Sequence, residues 1–287
     1  MVIAMKNRME QINMLLEQDG MEVSLQERFK NNQLKQGMVL RSKEFNCSPV
    51  IYVDEKFWEL SDLEIAEQLK QSFEKYSFNM EPSAFLNKEY VLQNVLPRVY
   101  SEENIPAMEK EGITYLHKMD LAFAFYIPLN MNMNARELSS VTLTNALLDN
   151  LEISMDELVE AAGENIVEEC NVLDMPFVMK GLGFNITVSE DTCPTMVVIS
   201  NKSQINGAGV MFNENTFQPV SEFWGNSFAI LPSSIHECIC VPFSSEQDLQ
   251  AFQEMVCAIN KTTVPAEDKL TDSVYVWNNG RLSQFSK

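Results

Sequence analysis

Histidine and cysteine, the residue types that most often carry catalysis or bind metal, are scarce here, and several fall together. The chain has 2 His and 6 Cys in 287 residues. One run reads Ile230-Leu231-Pro232-Ser233-Ser234-Ile235-His236-Glu237-Cys238-Ile239-Cys240. Alternate residues of a strand share a face, so an extended segment here would line up His236, Cys238 and Cys240. A His-x-Cys pair can ligate zinc, and a thiolate beside a histidine can act as a nucleophile. Ser233 and Ser234 are the hydroxyls available to His236, and these three are the candidate catalytic residues. The structural alternative has the same residues. Pro232 fixes φ, the serines bond nearby amides in a turn, His236 braces the loop, and the two thiols pack as small apolar groups.

Elsewhere the chemistry thins out. With two histidines a His-rich metal site is impossible. The cysteines lack the C-x-x-C spacing of zinc or redox motifs, so neither metal nor cofactor is expected. His117 is the other histidine, flanked by Lys118 and Asp120. No G-x-S-x-G elbow presents a serine. Gly181-Leu182-Gly183 lacks the rest of a dinucleotide or phosphate-binding loop and reads as a turn. Glu102-Glu103 and Glu168-Glu169 read as exposed neighbours rather than an acid/base pair.

The elements that must position the run alternate between helix and strand. Ser61 with Glu64, and Ser154 with Glu157, each form the S-x-x-E capping box that opens a helix. They predict helices over 61–77 and 154–169, the first with Ile65, Leu69, Phe73 and Tyr76 on one stripe. Residues 5–18 read as an amphipathic helix and 24–35 as a second, weaker one, followed by extended runs at 38–42 and 50–53. The apolar run 119–129 predicts a central strand buried on both faces. Strands at 196–200, 208–212, 227–231, 237–243 and 274–277, with helices at 217–224 and 245–261, give a C-terminal β-β-α-β-β-α-β order. The fold class is therefore α+β, with mixed or antiparallel sheets and helices on their faces. Two regions are expected, 1–178 and 179–287.

Lys plus Arg number 21 and Asp plus Glu 41, a formal net charge of −20. Such a chain repels phosphate backbones. Direct nucleic-acid binding and attachment to an anionic membrane are not expected, whereas a protein partner with a basic surface is. No apolar run reaches 18 residues and the opening residues lack a signal-peptide pattern, so a reducing, cytoplasmic setting is expected.

Further residues join the Ile230–Glu237 run: Ser200-Asn201-Lys202, Asn206-Gly207-Ala208, Asn260-Lys261-Thr262, Val264-Pro265 and Leu270-Thr271-Asp272. Together they resemble an uncharacterised bacterial domain-of-unknown-function family, common in gut bacteria and on mobile elements, over residues 24–280. In that family aliphatic residues usually stand at positions 238 and 240, which weighs against a catalytic role for Cys238 and Cys240. The resemblance implies a fold and no mechanism. The expected function is a non-enzymatic acidic protein-interaction module, in the resembled family's setting an inhibitor or accessory protein of a mobile element. The alternative is a hydrolase or other enzyme using the His236 loop.

Overall fold

The computed structural model describes residues 2–132, 137–174, 194–232 and 234–286. The chain divides into two compact units, Met1–Ser83 and Ala84–Lys287. The boundary expected at 178/179 falls inside the second unit, where strands on either side of it pair with each other.

The first unit lays two helices, α1 (Val2–Glu17) and α2 (Asp62–Tyr76), with an antiparallel sheet of β1 (Met21–Lys30), β2 (Gln33–Ser42) and β3 (Val50–Tyr52). Ile12 and Leu16 of α1, Ile65, Leu69 and Phe73 of α2, and Met38 and Leu40 of β2 form its core. The helix expected over 24–35 is instead the β1–β2 hairpin. Its ten-residue ladder closes at Lys30 and Gln33 over a two-residue turn. Asn32 takes φ +62° in that turn, a left-handed geometry that asparagine tolerates better than most residues.

The second unit holds two further antiparallel sheets. In one, β6 (Leu121–Asn132) is central. It pairs with β4 (Leu96–Ser101) on one edge and with β5 (Tyr115–Lys118), then β7 (Glu137–Thr142), on the other. Residues 121–127 are all buried, as the unbroken apolar run predicts. The six-stranded sheet runs β13 (Arg281–Gln284), β12 (Tyr275–Asn278), β10 (Ser227–Leu231), β11 (Cys238–Val241), β9 (Val197–Asn201), β8 (Cys170–Asp174). The helix Glu246–Thr262 covers one face, with Leu249 and Val256 packed on Ala229, Leu231 and Val241. Among the described residues every paired strand is antiparallel, so the fold is α+β.

One strand of the expected C-terminal order is absent. Residues 207–212 form a wholly buried 3₁₀ segment rather than a strand. Small residues let it approach neighbouring backbone closely: a Cβ on Gly209 would stand 2.3 Å from the Pro97 carbonyl oxygen. Phe212 at its end meets the rings of Phe123 and Phe125 at 5.4 and 5.6 Å. The segment thus ties the β4–β6 sheet to β9. Further helices of this unit are α3 (Lys88–Asn94), α4 (Ile105–Lys110), α5 (Asn145–Leu151) and α6 (Met155–Glu169). α6 packs on β4 and opens with the Ser154/Glu157 capping box that the sequence predicts.

Candidate functional site

The connection between β10 and β11 carries the histidine run. Its backbone is pinned on two sides. Ile235 N–H donates to the Asp268 carbonyl at 2.8 Å, and the Ile235 carbonyl accepts from Ala208 N–H at 3.1 Å. The His236 carbonyl accepts from Ser200 Oγ at 2.8 Å. Gly207 is what permits this closeness, because a Cβ there would lie 1.9 Å from Ser200 Oγ and 2.4 Å from the His236 carbonyl oxygen.

Both ring nitrogens of His236 are engaged within the chain. Nδ1 accepts the Asn206 N–H at 3.2 Å. That partner leaves the proton on Nε2, which faces Asp268 Oδ1 at 3.2 Å. Ser234 does not join the ring. Its hydroxyl donates to Glu237 Oε1 at 2.8 Å and accepts the His236 N–H at 2.9 Å. His236 and Ser234 are therefore close in sequence but do not form a nucleophile–base pair. Ser233 lies outside the described residues, as do Gly181-Leu182-Gly183 and Cys193.

Cys238 and Cys240 are fully buried. Burial raises both thiols well above their ordinary range. The Cys170 thiol is pushed up to about 11 by burial alone. A thiol held protonated is a poor nucleophile and a poor ligand. No group of three or more His, Cys, Asp or Glu side chains is arranged to hold a metal ion among the described residues. His117 pairs with Glu102 at 3.0 Å on the surface.

Two arrangements escape a reading of the sequence. The first is a hub at Asp120, in the turn between β5 and β6. Thr271 Oγ1 and Ser273 Oγ donate to its Oδ2 at 2.7 and 2.8 Å, and the Tyr275 hydroxyl donates to Oδ1. Burial, and then the neighbouring Asp120 charge, raise the Tyr275 phenol far above its usual range, so it stays a donor.

The second is a cleft of about 220 Å³ where α3 and α6 end beside the β4–β6–β7 sheet and β9. Leu96, Pro128 and Leu138 supply apolar lining. Its polar lining includes Glu168 and Glu169 from the end of α6 and the amides of Gln93, Asn94 and Asn165. Tyr126 lines it too, although only 2% of that residue is exposed. Arg98 lies over the Tyr126 ring, 4.4 Å from its centroid. Burial raises the Tyr126 phenol, with the Arg98 charge opposing and the Glu169 charge adding to the rise.

The chain matches the family model described as "Family of unknown function (DUF5688)" over residues 4–279. It belongs to DUF5688. That match spans both compact units of this DUF5688 chain and includes the His236 loop, the Asp120 hub and the cleft. No curated protein and no solved structure matches it.

Proposed function

We propose that this chain works by binding a protein partner that presents a basic surface, and not by catalysis at the His236 loop. The observation that carries this reading is the engagement of both His236 ring nitrogens by Asn206 and Asp268. A general base must be within reach of the proton it removes, and this ring is turned to its own chain. The net charge of −20 supplies the attraction for a basic partner. Among the described residues no helix is long and apolar enough to cross a membrane. A place in the cytoplasm, and a role as inhibitor or accessory protein of a mobile element, belong to the same proposal.

The test starts with affinity purification from the native cell and mass spectrometry of bound proteins, followed by reconstitution of the purified pair. A stoichiometric complex whose affinity falls as salt rises is expected, because exposed charges are screened over roughly 10 Å at 0.1 M salt. A pair whose affinity ignores salt would overturn the basic-surface part. A His236→Ala protein of unchanged stability that loses a measured hydrolytic activity would overturn the whole and favour a hydrolase at this loop.

A further inference from the structure

The cleft beside α6 is unusual in how its hydrogen-bonding groups are committed. Asn165 Nδ2 donates to the carbonyls of Leu92 and Val95, both at 2.9 Å. Asn94 Nδ2 donates to the Tyr90 carbonyl at 2.8 Å. Asn201 Nδ2 donates to the Ile205 carbonyl at 2.9 Å, while its Oδ1 accepts from Ser203 Oγ. The amide donors of Asn94, Asn165 and Asn201 are thus used on backbone, and the oxygens of Asn94 and Asn165 are left as acceptors, while the Gln93 amide can turn either its oxygen or its nitrogen to the cleft. Glu168 makes no ion pair or hydrogen bond among the described residues, and Glu169 pairs only with Lys202 Nζ, at 3.1 Å, and through its main chain. These two carboxylates stand at the C-terminal end of a 15-residue helix with no basic residue in its last turn. That end already carries partial negative charge from free carbonyls. The second, independent observation is Tyr126, 98% buried, whose hydroxyl has no hydrogen-bond partner among the described residues and which lines the same cleft. The hydroxyl is not among the polar atoms sealed from solvent, so it opens onto the cleft, where water or a ligand can meet it.

We infer that this cleft binds a donor-only cation, a guanidinium or ammonium head on an aliphatic stem. A guanidinium offers five N–H donors and no acceptor, which complements walls rich in acceptors and poor in donors. The stem lies along Leu96, Pro128 and Leu138. The Tyr126 hydroxyl, kept protonated, and the Glu168 carboxylate meet the head. Arg98 is held on the Tyr126 ring face and by Ser140 Oγ at 3.0 Å, and it is not among the lining residues. The head group has two sources of identical chemistry, an arginine or lysine of a protein partner or a free amine or guanidino compound. The first source rests on the proposed function; the site itself does not.

The experiment is an NMR titration of the ¹⁵N-labelled full chain with ethylguanidinium, n-butylammonium and the blocked tripeptide acetyl-Gly-Arg-Gly-amide, with n-butanol and acetate as controls. Saturable shifts at residues of the cleft are expected from the cations, with a Kd on the order of 1 mM for so small a probe. Tyr126→Phe and Glu168→Gln should each weaken binding about tenfold, as loss of a hydrogen bond to a charged group does. Tyr126→Phe should also keep the wild-type melting temperature, which a hydroxyl with a merely structural role would not allow. A tripeptide that binds tenfold or more tighter than ethylguanidinium assigns the head to a protein; equal binding assigns it to a free compound. Absence of saturation by any cation, equal binding of n-butanol or acetate, or unchanged affinity in both variants overturns the site. A saturable cleft together with failure to recover a partner separates this inference from the proposed function. So does a salt-dependent partner complex that Glu168→Gln leaves intact.

Discussion

The His236 loop and the cleft beside α6 both gather polar side chains in the second unit, and they use them in opposite ways. In the loop the histidine's ring nitrogens, the Ser234 hydroxyl and the backbone of Ile235 and His236 are matched within the chain. In the cleft the donors of Asn94, Asn165 and Asn201 are used internally and the acceptors are left over, with the Tyr126 hydroxyl opening among them. Residue type alone favours the loop as a site, since histidine, serine and cysteine are the usual catalytic residues. Hydrogen-bond satisfaction favours the cleft. A group already matched contributes to stability, and a group left open is available to a ligand.

Mutations can break this comparison. The largest effect is expected from Gly207→Ala, which would drive a methyl group into Ser200 Oγ and the His236 carbonyl. Chemical denaturation should show a loss of about 3 kcal/mol or more. A near-neutral result would mean that the loop is not closely packed there. His236→Ala comes next. It strands the Asn206 N–H and the Asp268 carboxylate, and a third of the ring is open to water. That exposure sets the expected loss at about 1–2 kcal/mol, with partner binding falling only as far as the fraction unfolded. The smallest effect has the opposite sign. Glu168→Gln removes an exposed carboxylate from the negative end of α6 and should raise stability by roughly 0.3–1 kcal/mol at low salt. A destabilised Glu168→Gln protein would place Glu168 among the matched groups and erase the contrast.

Much of the frame is legible in the residues. Both capping boxes, Ser61/Glu64 and Ser154/Glu157, form as their spacing predicts. The run over 119–129 supplies the central strand of its sheet from Leu121 onward because residues 121–127 carry no charged side chain and are all buried, leaving it no wet face. The errors have physical causes. Leu25, Phe29 and Leu34 mimic a helical stripe, yet the ladder between β1 and β2 prevails, turning at Asn31-Asn32. Residues 208–212 have strand-like composition, but glycine at 207 and 209 lets the backbone coil against Ser200, His236 and Pro97. The loop at His236 is local, so it shows as a motif. The cleft is assembled from α3, β4, β6, β7, α6 and the end of β9. Its glutamates and amides resemble ordinary surface residues in sequence, and Tyr126 resembles ordinary core.

The Asp120 hub also has a consequence for how the chain is made. Its three hydroxyl donors lie 151, 153 and 155 residues further along. At about 5–20 residues per second, a ribosome delivers them roughly 10–30 s after Asp120 itself. Until then the turn between β5 and β6 carries a carboxylate whose hydroxyl partners have not been synthesised. A chain stopped short of Thr271 has every strand of the β4–β6 sheet and none of those donors. The order of synthesis thus leaves one end of an early sheet to be completed by side chains that emerge 151 to 155 residues later.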